Sequence, residues 1–180
     1  MKRTFVASLL ILAFASILLS ACGGGGGGGV TPVPQPTTAV LTLSTAGIIP
    51  VNDLIEGYEV TIPLPSGVTV KTLLNSSQTG TNVVIAAGQA LGAPIIGVYT
   101  ASTATLPGTV KVTLLTNNPS IGITAGEFCQ VNADIAPGNY PTASSFAQPA
   151  LDSAQGWDST QQSSVDLTEQ LSLSQTAVVN

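Results

Sequence analysis

The sequence predicts an all-β fold, an antiparallel β-sandwich of about eight strands, set behind a signal peptide and a Gly/Pro tether. Three observations lead there. Period-two alternation of apolar and polar residues recurs from Ala39 onward. Turn formers punctuate it at short intervals, and no run carries a helical stripe of useful length. Charged residues make up only 7% of the chain, which is rich in Val, Thr, Ile, Leu, Gly, Ala and Ser. Alternation marks strands with one wet and one buried face. Many short strands with regular turns are the pattern of a sandwich.

Taken in order, Met1-Lys2-Arg3 gives a positive start and Phe5 to Leu19 a nearly unbroken apolar run. Small residues come next at Ser20 and Ala21. This is the three-part grammar of a secretory signal peptide, and the apolar run is short for a membrane span of about 20 residues. Residues 1–21 are therefore expected to be cleaved. Gly23 to Gly29 has no side chains to pack and reads as a loose coil on the order of 14 Å across. Pro32, Pro34 and Pro36 stiffen the next stretch, Val30 to Thr38, into a polyproline-like arm. Residues 22–38 form the expected tether, and 39–180 the folded domain.

Within that domain, Leu41 and Leu43 alternate with Val40, Thr42 and Ser44. Tyr58, Val60, Ile62 and Leu64 alternate with Glu59 and Thr61, and Val68, Val70, Thr72 and Leu74 with Thr69 and Lys71. Val83 to Ala87 and Ile95 to Tyr99 are short apolar runs. Val110, Val112 and Leu114 alternate with Thr109, Lys111 and Thr113. Cys129, Val131, Ala133 and Ile135 share one parity, with Gln130, Asn132 and Asp134 on the other. Val165, Leu167, Leu171 and Leu173 return to alternation near the end. Pro65-Ser66-Gly67, Asn75-Ser76-Ser77, Gly92-Ala93-Pro94, Pro107-Gly108, Asn117-Asn118-Pro119 and Pro137-Gly138-Asn139 supply the turns. Asp53 to Gly57 reads as one helical turn. Tyr140 to Gln162 is polar and reads as a long loop or the start of a tail.

Two resemblances rest on these residues. Leu19-Ser20-Ala21-Cys22 resembles the lipobox of bacterial lipoproteins in residue type, order and distance from the charged start. It implies diacylglyceryl transfer to the Cys22 thiol, cleavage before Cys22 and acylation of the new amino terminus. More than one acyl chain gives stable anchoring. Gly23 after the cysteine implies the outer membrane by the family's sorting habits. The alternative is an ordinary cleaved signal with an incidental cysteine. Further on, Gly57-Tyr58-Glu59-Val60-Thr61-Ile62-Pro63, Leu106-Pro107-Gly108-Thr109-Val110-Lys111-Val112 and Gly126-Glu127-Phe128-Cys129-Gln130-Val131 resemble strand signatures of the cohesin and cellulose-binding-module superfamily. That resemblance spans about Val40 to Val179. It implies a jelly-roll or immunoglobulin-like sandwich with a binding rather than a catalytic role.

Composition narrows the chemistry. Cleavage after Ala21 leaves 159 of the 180 residues, with Lys71 and Lys111 against nine acids, a net charge of −7. Phosphate neutralisation needs more cations than that, so no nucleic acid is expected as a partner. Electrostatic adhesion to anionic lipid is equally unexpected, which leaves the lipid anchor as the membrane contact. The chain has no histidine, so the usual base of a Ser triad is missing. A Ser-Lys pair would need Lys71 or Lys111, both on strand faces expected to point to solvent. Glu56 with Glu59, or Asp152 with Asp158, are paired carboxylates by proximity only. Zinc lacks ligands, and Asp152 to Asp158 is too sparse in acids for a calcium loop. The expectation is a non-enzyme with no metal or cofactor.

Cys129 has the parity of Val131 and is expected to be a buried thiol; an intermolecular disulfide is the alternative. Trp157, between Gly156 and Asp158, is the leading candidate for an exposed ring that stacks on a sugar. Tyr140, beside Pro-Gly-Asn, is the second. Trp157 plugging one end of the sandwich is the competing reading. The expected function is display of a sandwich that binds a protein partner or a surface polysaccharide. The alternatives are a structural accessory subunit of a larger cell-envelope assembly with no soluble ligand, and an accessory of a carbohydrate-active enzyme.

Overall fold

Alternation along the chain is answered by two antiparallel sheets packed face to face. The structure is a computed structural model that describes residues 34–116 and 122–180. The expected signal peptide, Cys22, the glycine run and the expected turn at Asn117-Asn118-Pro119 lie outside the described residues. Among the described residues there are ten strands. They are β1 (Thr38–Gly47), β2 (Asp53–Leu64), β3 (Val68–Thr69), β4 (Val84–Ala86) and β5 (Ile95–Thr100). The other five are β6 (Gly108–Leu115), β7 (Glu127–Ile135), β8 (Ala150–Asp158), β9 (Ser163–Asp166) and β10 (Leu171–Val179).

The first sheet runs β10-β1-β7, and β3 and β4 then share the outer edge of β7. The second runs β5-β6-β2-β8-β9. The core lies between them. The first sheet contributes Leu41, Leu43, Phe128, Val131 and Ile135; the second contributes Tyr58, Val60, Ile62, Val110, Val112 and Leu114. Cross-strand partners on the inner face match in shape, as with Val60 opposite Val112 and Ile62 opposite Val110. Tyr58 stacks on Phe128 with ring centroids 4.5 Å apart and donates to or accepts from the Thr45 hydroxyl at 2.9 Å. That contact ties one sheet to the other inside the core.

The sandwich is as predicted, with more strands than the eight counted in the sequence. Several local expectations are corrected. Asp53 to Gly57 is no helical turn; it opens β2, where Ile55 is opposite Gly156 of β8. A bulge between Ile55 and Gly57 breaks the parity there, so the segment does not read as a strand. The stretch from Val68 to Leu74 is a strand only as far as Thr69. β7 has one outer edge to offer: Val68 and Thr69 take Ile135 and Asp134, and β4 takes Val131 to Cys129. Residues 70–83 must therefore leave the sheet. Part of 140–162, expected as loop or tail, is β8, which lies between β2 and β9. Its inward positions are the small residues Ala154 and Gly156, both buried. A Cβ on Gly156 would strike Leu167, which fills the space instead.

The chain enters and leaves the domain at one end. Asn180 exchanges main-chain hydrogen bonds with Thr38, and its carbonyl also accepts from Thr37. The turns Pro65-Ser66-Gly67 and Pro137-Gly138-Asn139 sit at the same end. Gly67 has φ of 76°, and a Cβ there would collide with the Asn139 side chain. Only glycine meets both conditions.

Candidate groove between the two sheets

The excursion 70–83 builds an open concave surface. It folds back on itself through Leu73 N–H to Gln78 C=O and Gly80 N–H to Lys71 C=O. It then lays residues 77–79 along the outer edge of β5: Thr79 donates to Gly97 C=O at 2.8 Å, and Tyr99 donates to Ser77 C=O at 2.7 Å. The chain next turns into β4 at the edge of the opposite sheet. β4 and β5 thus run beside each other without pairing. Gly97 permits the approach, since a Cβ would lie 2.5 Å from Val84 Cγ2 and 2.6 Å from Thr79 Oγ1.

Between these elements is an open groove of about 560 Å³. Its apolar walls are Leu73, Val84, Ile85, Leu91, Ile95 and Ile96. Leu73, Leu91 and Ile96 are 45%, 80% and 51% exposed. No ionisable side chain lines it. The main chain matters as well. Val83 C=O and Ala87 N–H bond to β7, so alternation turns the N–H and C=O groups of Val84 and Ala86 outward. On β5 the same parity that sends Gly97 and Tyr99 to residues 77–79 turns Ile95 outward beyond their cover. The groove thus pairs apolar walls with strand edges, the combination that accepts an extended segment by strand addition.

Sequence reasoning misses this groove. Its walls come from four separate segments, and the excursion that joins them carries the alternation of a continuous strand. The one available signal is the pair of large apolar residues at Leu73-Leu74, just before the Asn75-Ser76-Ser77 turn.

The residues singled out in the sequence are placed elsewhere. Trp157 is half-buried on β8, opposite Leu54 of β2 and Ser164 of β9. It is outside the core cluster, so it neither plugs the sandwich nor stands on a loop. Its neighbours Gly156 and Ile55 face inward, which turns Trp157 and Leu54 to the outer face of the sheet. Tyr140 is 56% exposed and comes just after the turn at the end where β2 finishes. Leu54 and Leu64 mark the two ends of β2, and a strand of that length spans on the order of 30 Å. Trp157 and Tyr140 are therefore not brought together.

The acids are dispersed. Lys111 pairs with Glu59 at 3.1 Å and Lys71 with Asp134 at 3.7 Å, all partly exposed. Asp152 accepts from the Thr61 hydroxyl at 2.6 Å. Asp158 caps the turn after β8, accepting from the N–H groups of Thr160 and Gln161. Asp166 accepts from both the hydroxyl and the N–H of Thr168, which lowers its pKa. Among the described residues no three His, Cys, Asp or Glu side chains come together as a metal site. Cys129 is a buried, unpaired thiol, and burial pushes its pKa up to about 12. No helix among the described residues is long and apolar enough to cross a membrane.

Comparison of the chain with protein-family models, with curated proteins and with solved structures finds no match.

Proposed function

We propose that the chain is an outer-membrane lipoprotein, anchored through Cys22, whose β-sandwich holds a protein partner at the cell envelope. The groove between β4 and β5 carries this reading. It has apolar walls and no ionisable side chain, and it offers main-chain groups at Val84, Ala86 and Ile95 to an extended apolar segment. A polysaccharide fits it less well, because no Trp, Tyr or Phe ring lines it on which a sugar could stack. The mechanism is passive. Acyl chains hold position, the Gly/Pro tether gives reach, and confinement raises the effective concentration of the domain near its partner.

The test uses the full chain in a bacterial envelope. Palmitate is expected to label the wild type and not Cys22→Ser. A photocrosslinking residue at Ile96 is expected to capture a discrete protein. Leu91→Asp should abolish that capture, and Trp157→Ala should leave it intact. Polysaccharide retention that falls with Trp157→Ala and ignores Leu91→Asp would replace this reading with the glycan one. The second reading, a structural subunit of an envelope assembly, is favoured by the length of the edge strand β10 and its lack of charge and proline.

A further inference from the structure

Four of the five edge strands are blunted. β3 and β4 are two and three residues long. β9 has four residues and ends on Asp166. β5 is covered by residues 77–79. Short edges, charges and covering loops are the usual defences against edge-to-edge pairing. β10 has few of these. It is nine residues long, Leu171-Ser172-Leu173-Ser174-Gln175-Thr176-Ala177-Val178-Val179, with no charge and no proline. It pairs with β1 on one side only.

The parity of that edge comes from the Thr38–Asn180 pair, which exchanges both main-chain bonds. Counting back along the register, Val178, Thr176, Ser174 and Ser172 bond to β1. Leu171, Leu173, Gln175, Ala177 and Val179 therefore turn their N–H and C=O groups outward. Among the described residues one of these groups has a partner: Leu173 C=O accepts from the exposed side chain of Gln148 at 2.8 Å. A side chain of that kind can rotate away.

Gln175 is the midpoint of the strand. Its Oε1 is buried and lacks a hydrogen-bond partner, an unfavourable state for a buried acceptor. We infer that β10 pairs antiparallel with β10 of a second copy of this chain, about a two-fold axis at Gln175. In that register each Gln175 faces its own counterpart, Leu173 faces Ala177 of the second copy, and Leu171 faces Val179. Side chains opposite each other lie about 5 Å apart, so a turn of each Gln175 side chain out of its own copy toward the seam brings the Nε2 of one to the orphan Oε1 of the other. The interface is self-complementary, as two-fold symmetry demands. The strand brings no like charges together, although the mature chain carries −7. The two first sheets become one, and the β4/β5 groove of each copy is on the far side from the seam.

Strand addition alone buries less than the roughly 800 Å² per partner of a standard interface. The pair is therefore concentration-dependent, and crosslinking is the way to catch it. Ser174 and Thr176 of opposite copies face each other across a close, non-hydrogen-bonded rung, as do Ser172 and Val178. In the full chain under oxidation, Ser174→Cys/Thr176→Cys and Ser172→Cys/Val178→Cys are expected to give disulfide dimers well above wild type. Ser172→Cys/Ser174→Cys is out of register and is expected to match wild type. Ala177→Pro removes an outward N–H and no bond to β1, so it should lower the dimer yield at least tenfold. Equal yields from in-register and out-of-register pairs would overturn the inference. So would a yield indifferent to Ala177→Pro. If Ala177→Pro does not fold, the register comparison alone decides. The result does not depend on acylation or on the groove.

Discussion

The Tyr58 hydroxyl offers the sharpest test of how the two sheets are held together. Tyr58 and Phe128 bury their rings, and the hydroxyl meets Thr45 Oγ1 at 2.9 Å. Thr45 Oγ1 also accepts from Gly126 N–H at 3.4 Å. Tyr58→Phe keeps the ring contact and removes only the oxygen. A net hydrogen bond is worth about 1 kcal/mol, and a stranded buried hydroxyl adds to the loss, so about 1–2 kcal/mol is expected. For a domain of this size that is a fall in Tm of roughly 3–6 °C. Thr45→Val strands the phenol and the Gly126 N–H and should cost about 2 kcal/mol. The double variant removes both partners, so its loss should fall short of the sum by about 1 kcal/mol. Urea unfolding tracked by far-UV dichroism and by the fluorescence of the single tryptophan reads each value. A Tyr58→Phe protein as stable as wild type, or a strictly additive cycle, would refute the account. The same burial raises the Tyr58 pKa above 10.0. A raised folded pKa in an acid means that stability is complete below pH 10 and erodes as pH climbs past it. Tyr58→Phe should flatten that alkaline loss.

Burial, volume and backbone space set the other expected outcomes. Cys129 has its pKa raised from 9.0 to about 12, so its stabilisation is whole below pH 9 and declines up to about pH 12. The slope is at most about 1.4 kcal/mol per pH unit, and Cys129→Ala should remove it. The same thiol should resist a colorimetric thiol reagent at pH 8 until urea unfolds the protein. Ala154→Asp puts a carboxylate at a fully buried position of β8 and should unfold the domain, a loss above about 3 kcal/mol. Were 140–162 a loop or tail, the substitution would be silent in a thermal melt. Gly97→Val should push β4 off β5 and cost about 1–3 kcal/mol, with capture at Ile96 lost even where the melt survives.

Strands with a plain pattern are readable in advance. Leu41-Thr42-Leu43 and Tyr58 to Leu64 have one buried parity and one wet one, and the structure keeps both. β8 is hidden for two physical reasons. Its buried positions are Ala154 and Gly156, too small to register as apolar, because Leu167 fills the layer beneath them. An extra residue in β2 at Glu56 and another in β8 at Asp152 shift the pairing twice, so alternation breaks once in each strand. The groove is out of reach for another reason. Nothing local says that β7 will share its edge between β3 and β4, and that sharing is what expels residues 70–83. Trp157 shows the reverse error: the polar stretch around it suggests a loop, yet Gly156 is buried and Trp157 shares the outer face of an internal strand with exposed Gln155.

The place of β1 has a mechanical consequence. Any pull transmitted from upstream of Pro34 reaches the domain through Thr38, the first residue of a strand flanked on both sides by β10 and β7. The Asn180 carbonyl, holding Thr37 and Thr38, clasps the point of entry. Force along the strand axis loads the rungs of both ladders together, in shear, rather than peeling them singly. Loaded this way, the domain resists unravelling from β1.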